Sequence, residues 1–217
     1  LYEQKVSLTG RLFFEPTGLK AQGSAVFEQS ETESKYFPFK NTEYRADTAD
    51  FKLHTPDGKD VTLIADNYNS FFDLKNRRAN FHTNKAESVI RFPLNNYEST
   101  IPDFVWEMDK TRLELTSAGY DELKKRLWSM PARDLILGDE KNLFQGPLFT
   151  ATSQNADSLK FIGFGASFDI LKSELSIRDV RYIRVADAAL VLNDGLVSVG
   201  KKGVMKPFAN IQLATLH

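Results

Sequence analysis

The strongest constraint on this chain is a ten-residue phrase in which an apolar residue is answered by apolar residues seven and nine positions later. Phe72 opens it in FDLKNRRANF, answered by Ala79 and Phe81. Phe168 opens it in FDILKSELSI, answered by Leu175 and Ile177, and Leu190 opens it in LVLNDGLVSV, answered by Val197 and Val199. Two short alternating runs joined by a polar link form the pattern of a β-hairpin with one buried face. A looser copy begins at Phe14, with Ala21 and Gly23 in the answering positions. The phrases predict an all-β chain of stacked hairpin rungs.

The rest of the chain fills in that reading. Val6 to Leu12 alternates and ends at the Glu15-Pro16-Thr17-Gly18 turn; Gly23 to Phe27 and Tyr36-Phe37-Pro38-Phe39 continue as strands. Pro38 lacks the N–H that a ladder needs, so its strand is expected at an edge or a bulge. Phe51-Lys52-Leu53 and Val61-Thr62-Leu63-Ile64 flank a Pro56-Asp57-Gly58 turn and predict a hairpin. Val89 to Phe92 and Phe104 to Met108 read as further strands. Ser117 to Met130 predicts one short helix, with Leu123 and Leu127 a turn apart, Ser117 as N-cap, Asp121 and Glu122 in the first turn and Pro131 as the stop. Residues 131 to 148, with Gly138, Gly146 and Pro147, read as an irregular connection. The expected organisation is a β-repeat region over 1–116, the helix and connection over 117–147, and a second β-repeat region over 148–217, as one continuous domain or two. The 22-residue interval from Phe168 to Leu190 suits a solenoid rung.

Composition narrows the function. The formal charge of -1, from 28 basic and 29 acidic residues, lacks the basic excess of a nucleic-acid binder. Arg77-Arg78, Lys124-Lys125-Arg126 and Lys201-Lys202 read as solvated turn or helix faces. With no cysteine, disulfides, thiolate metal sites and cysteine nucleophiles are ruled out. No run approaches the roughly 18 apolar residues of a membrane helix. The chain opens at Leu1 and stops at Leu216-His217, which reads as a piece of a longer protein. Seventeen Phe against two Trp describe a chain that builds core, since Phe has no polar handle.

No catalytic, cofactor-binding or metal-ligating residue is expected. The three histidines, His54, His82 and His217, are not spaced as a metal site or a triad. Gly163-Phe164-Gly165-Ala166-Ser167 lacks the third glycine of a dinucleotide fingerprint and is followed by a strand, so its glycines are read as a close approach between strands. Gly200-Lys201-Lys202-Gly203 lacks phosphate-loop spacing. Asp47/Asp50 and Asp57/Asp60 miss the calcium-loop pattern, and turn chemistry accounts for the second pair unless a loosely held calcium ion sits there. Trp106, Trp128, Tyr97 and Tyr120 would line a sugar platform if exposed, although Trp106 alternates with Val105 in a strand and Trp128 sits near the Leu123/Leu127 stripe, which favours core packing for both.

The stretch Ala65 to Ala79, ADNYNSFFDLKNRRA, resembles the repeat of the organic-solvent-tolerance (OstA-like) β-scaffolds that move lipopolysaccharide across the periplasm. That resemblance implies hairpins stacked into an open, groove-like sheet with an apolar interior. A longer resemblance rests on Thr17 to Gly23, Phe92 to Tyr97, Trp106 to Lys110, Asp157 to Phe161 and Val185 to Ala188. It is to large uncharacterised cell-envelope proteins of Gram-negative bacteria, and it implies an envelope location, periplasmic or outer-membrane associated, and transfers no catalytic residue. The expectation is a non-enzymatic β-scaffold module that meets neighbouring segments of a larger protein, structural or binding an apolar or amphiphilic ligand such as lipid. The alternative is a carbohydrate-binding or carbohydrate-active β-solenoid.

Overall fold

The computed structural model describes residues 5–85, 88–137, 145–153, 159–185 and 188–215. Leu1, Gly138, Asp157, Ser158, Ala186, Asp187, Leu216 and His217, singled out above, lie outside the described residues. Five long strands come first: β1 (Val6–Glu15), β2 (Gly18–Phe27), β3 (Ser30–Phe39), β4 (Glu43–His54) and β5 (Val61–Asp73). Shorter ones follow: β6 (Arg78–Thr83), β7 (Ile90–Phe92), β8 (Tyr97–Ser99), β9 (Asp103–Glu107) and β10 (Arg112–Thr116). Helices α1 (Asp121–Ser129) and α2 (Ala132–Leu137) interrupt before β11 (Leu148–Ala151), β12 (Lys160–Ile162), β13 (Gly165–Asp169) and β14 (Glu174–Arg178). The last are β15 (Tyr182–Val185), β16 (Ala188–Leu192), β17 (Val197–Val199) and β18 (Ile211–Thr215). Among the described residues fifteen strands make one sheet, and β15, β16 and β18 make a second. All pairs are antiparallel. The strands expected on either side of residues 117–147 join directly, β10 to β13 and β8 to β11.

The large sheet folds back on itself along one line. On β1 and β2 the line passes through Gly10 and Gly23, which face each other with φ of 149° and 133°. A Cβ on either would collide with the facing strand's backbone, at the Gln22 or the Thr9 carbonyl. Beside them, Lys35 and Tyr36 of β3 oppose the single residue Gln22, the register shift of a bulge. Pro38 lies next to this irregularity, as its missing N–H requires. On β4 the register slips between Ala46 and Ala49, and on β5 Asn67 takes a left-handed φ of 61°. Side chains take up the backbone groups freed along the line. Ser34 Oγ donates to the Thr48 carbonyl (2.7 Å), Asn67 N–H donates to Asp50 Oδ1 (2.9 Å), and Asn84 Nδ2 donates to the Asp47 carbonyl (2.7 Å).

Beyond the crease β5 serves two neighbours. Ile64 and Ala65 pair with β7, whereas Tyr68 to Asp73 pair with β6. One leaf therefore runs through the Val6 end of β1 to β7, β8, β11 and β12; the other runs through the Glu15 end of β1 to β6, β9, β10, β13, β14 and β17. Their inner faces meet through aromatic rings. Phe51 of the first leaf lies 4.4 Å from Phe81 and 6.2 Å from both Phe72 and Trp106 of the second, ring centre to ring centre. Phe92 meets Phe168 at 5.3 Å. The side opposite the crease is clasped twice. Arg77, in the β5–β6 turn, bridges Glu28 of the β2–β3 turn (2.7 Å) and Asp109. The buried Asn95 donates through Nδ2 to the Ser173 carbonyl (2.9 Å) and the Val199 carbonyl (3.1 Å).

Several expectations need correction. The phrase at Leu190 is no hairpin: Leu190 pairs with Ile183 and Leu213 in the small sheet, whereas Val197 pairs with Ile177 in the large one. The 22-residue interval is accordingly not a solenoid rung, because its two ends sit in different sheets. At the looser copy Phe14 faces Leu19, while Ala21 and Gly23 face Leu12 and Gly10. Ser117 does not cap α1. Its Oγ donates to the Phe164 carbonyl (2.5 Å), and the residue at the cap is Tyr120, without a side-chain bond. Residues 132–137 of the expected irregular connection form α2. The remaining phrases hold, with Phe72 opposite Ala79 and Phe168 opposite Leu175.

Three substitutions test this folding. Gly23→Ala is expected to cost at least about 3 kcal/mol in denaturant unfolding, through clash and positive φ together. Gly165→Ala, whose new Cβ would meet nothing nearer than Arg178 Nη2 at 3.4 Å, should stay within about 1 kcal/mol. Asn95→Ala removes the buried amide that donates to the Ser173 and Val199 carbonyls and is expected to cost about 2–4 kcal/mol.

Candidate functional site

The long leaf carries one unbroken row of directly facing residues. It runs Phe14, Leu19, Phe39, Tyr44, Phe72, Ala79, Trp106, Leu113, Phe168, Leu175 and Val199 across the eleven strands from β1 to β17. Facing residues of an antiparallel pair share a face, so the row lies on the inner side throughout. From Phe39 to Val199 it is buried. At its first member burial stops abruptly: Phe14 is 83% exposed. Leu12, the β1 residue that faces buried Ala21, is 45% exposed. Edge strand β1 thus presents inward-facing apolar side chains that no element of the described chain covers. Phe13, on the other face, is 44% exposed.

The opposite edge of that leaf is different. Beyond β17 the chain turns back through residues 200–206: Lys206 N–H donates to the Ser198 carbonyl (2.9 Å) and Met205 bridges to Val199. Met205 and Phe208 pack on the core. The chain thus covers the β17 end with its own backbone. At the free end of the other leaf, Ile162 of β12 packs with Leu127 of α1.

Next to β1 the two leaves part in a shallow mouth of about 370 Å³, lined by Val6, Leu19, Phe39, Tyr44 and Leu74 with Lys40 and Glu43 at its rim. Deeper in, the space between the leaves is filled with rings. Tyr44 stacks on Phe72 at 4.3 Å and Phe81 on Phe104 at 4.2 Å. Burial pushes the Tyr44 and Tyr68 phenols far above their ordinary value, so both stay neutral.

Charged groups on the outer face of the long leaf and on α1 neutralise one another. On the outer face of β10, β13 and β14, Glu114 takes both Arg112 (2.5 Å) and Arg178 (3.1 Å), and Glu174 takes Lys206 (2.6 Å). Lys124 and Lys125 of the basic triplet on α1 pair with Asp179 (2.7 Å) and Glu122 (2.8 Å). The crease concavity is lined by Gln22, Glu33, Ser34, Lys35, Thr48, Asp50 and Asn67, several of them already engaged in its backbone bonds.

Among the described residues, those singled out from the sequence do not converge on one site. His54 ends β4 opposite Val61. His82 faces Asp103 across β6 and β9, with Nδ1 and Oδ1 at 2.6 Å on the open outer surface. Asp57 accepts from Thr55 Oγ1 (2.5 Å) and the Lys59 amide (3.3 Å), which is turn chemistry, and the Thr55 hydroxyl bonded to the carboxylate holds its pKa below the ordinary value. Among the described residues no group of His, Asp and Glu is placed to hold a metal ion. Gly163 is a close approach: a Cβ there would run into Ile177, with Phe149 at 3.2 Å. Gly200 to Gly203 make a turn. Trp106 and Tyr97 are buried, the latter with its phenol pushed up to about 12 by burial, and Trp128 is half-buried beneath Arg181. They do not form a common platform.

No protein-family model, curated protein or solved structure matches this chain. Among the described residues no helix is long and apolar enough to cross a membrane.

The bare end of the row is open to a direct comparison. Phe168→Ala is expected to cost about 3–5 kcal/mol. Phe14→Ser, in the same row, should change stability by less than about 0.5 kcal/mol, and chemical unfolding of the two variants reads the contrast.

Proposed function

We propose that the chain is a non-enzymatic β-scaffold module of a larger exported or cell-envelope protein, whose role is structural. The observation that carries this reading is the inner row, buried over most of its length and bare at one strand edge. A module of this kind uses its fold to present an edge. The ring-filled interior and the mutually neutralised polar surfaces favour the same reading, because neither offers a cavity with unpaired, converging chemistry. The OstA-like stretch Ala65 to Ala79 forms most of β5 and its turn into β6, and it supports a periplasmic or outer-membrane-associated setting.

A second reading, binding of an amphiphile such as lipid, is favoured by the mouth beside β1. Its apolar walls and charged rim suit the end of one acyl chain and a headgroup. The glycan alternative loses weight with Trp106 in the core.

A titration separates the two. Under the structural reading, saturating fatty acid or lipid A leaves a bound hydrophobic dye in place and the exchange rates of amides around Leu19, Tyr44 and Leu74 unchanged. Saturable dye displacement with slowed exchange confined to those amides would transfer the function to lipid binding.

A further inference from the structure

The last five residues of β1, Arg11-Leu12-Phe13-Phe14-Glu15, form the bare edge, and their order is complementary to itself. Run antiparallel against a second copy, the segment sets Arg11 opposite Glu15, Leu12 opposite Phe14 and Phe13 opposite Phe13. We propose that β1 pairs antiparallel with β1 of a second copy of this chain, in that register, about a two-fold axis at Phe13.

Three observations fix the occupant and the register. First, β1 pairs only with β2 among the described residues, so its outer backbone groups are open to another strand. Second, the even positions of β1 face inward, as the burial of Val6 and the facing of Leu12 with Ala21 and Phe14 with Leu19 require. Only registers that set even against even keep the two inner faces continuous. Third, charge selects among those registers. Shifting the copies by one pleat in one direction sets Leu12 on Leu12 and leaves Arg11 opposite Phe13 and Glu15 opposite Thr9. A further shift the same way places Arg11 on Arg11. A shift in the other direction carries Arg11 past the end of the strand to Thr17. The proposed register alone joins Arg11 to Glu15, and it does so twice.

The side chains are ready for it. Arg11 is exposed and has no ion-pair partner among the described residues. Glu15 uses Oε2 for both Lys20 (2.5 Å) and Thr17 (3.3 Å), which leaves Oε1 open. On the inner side, Leu12 and Phe14 of each copy extend the other's apolar row, and the row becomes continuous through both molecules. A two-fold interface of this type is closed, so it yields a dimer and not a fibre. Five residues a side make a small interface, and the dimer is of the weak, reversible class. The pairing does not depend on the scaffold reading, since it follows from the edge alone.

The test uses the chain itself. Sedimentation velocity over a concentration series should show a reversible monomer–dimer equilibrium. Arg11→Glu and Glu15→Arg singly place like charges opposite each other and should each weaken it by about tenfold. The double exchange, which restores both pairs with their signs reversed, should recover most of the lost affinity. Because the chain has no cysteine, Phe13→Cys gives an independent reading. Facing Cα atoms of an antiparallel pair lie about 4.5–5.5 Å apart, within disulfide range, so mild oxidation should yield a covalent dimer. Ser7→Cys, outside the paired segment, should not. A monomer at every concentration, a double variant no better than the singles, or equal cross-linking at residues 7 and 13 would each overturn the proposal. The first of these would leave the edge to a strand from a different chain.

Discussion

Everything in this structure rests on the close passage of β1 and β2 at Gly10 and Gly23. A single antiparallel sheet has two faces and no interior of its own; it acquires one by packing against another layer. Here the second layer is the same sheet, turned over along a line that crosses five strands. Where backbones touch so nearly that a methyl group would overlap a carbonyl, the sheet can turn sharply without opening its ladder. The bulge on β3, the slip on β4 and the left-handed Asn67 on β5 carry the same turn across strands that lack a glycine at the crossing. Were β1 and β2 straight, Phe51 could not reach Phe81 and Trp106, and the inner row would face water.

Folding a sheet over creates two polar problems, and the chain solves each with side chains. Along the crease some ladder bonds are lost, and Ser34, Asp50 and Asn84 supply the replacements. Along the opposite side the leaves are held to each other by side chains. There the buried Asn95 and the half-buried Arg77 make the connection. They differ in kind. Asn95 is buried, so its two bonds are made away from water and contribute more than an exposed pair would. Arg77 is partly solvated, and its ion pairs with Asp109 and Glu28, which raise its basicity further, add little to stability but fix which turns meet.

The sequence made some of this legible and hid the rest for identifiable reasons. Hairpins announce themselves through local spacing, and those opening at Phe72 and Phe168 were readable because both their strands lie in one sheet. At Leu190 the spacing is the same, but Val191 joins the small sheet and Val197 is drawn to Ile177, a partner set by tertiary packing and invisible in a ten-residue window. The crease was hidden for a related reason. Gly10 and Gly23 sit inside clean alternation, and only their facing each other, 13 positions apart, makes them a bend. The helix from Asp121 was visible in its first-turn acids and its leucines, whereas Ser117 was committed elsewhere, to the Phe164 carbonyl. As for a site, the histidines and acids gave no convergent pattern in sequence; among the described residues His82 meets Asp103 on the outer surface, and His54 ends β4 opposite Val61. The informative surface was Leu12 and Phe14, which read as ordinary strand residues until the burial of their row-mates exposed the gap.

The contrast between the two ends of the long leaf argues that the bare one is there to be used. An edge of unpaired amides flanked by apolar side chains is a hazard that folded proteins blunt with charge, twist or a covering segment. This chain covers β17 with residues 200–206, so the means to seal an edge lie within the same fold. At β1 the only blunting groups are Arg11 and Glu15, and they bracket the apolar triplet instead of interrupting it. A lone positive charge would repel every copy of the same strand. A positive and a negative charge placed symmetrically about Phe13 repel parallel and slipped alignments and attract one antiparallel register. Charge at this edge therefore selects a partner strand rather than forbidding one, and the buried row behind it sets which face that partner must turn inward.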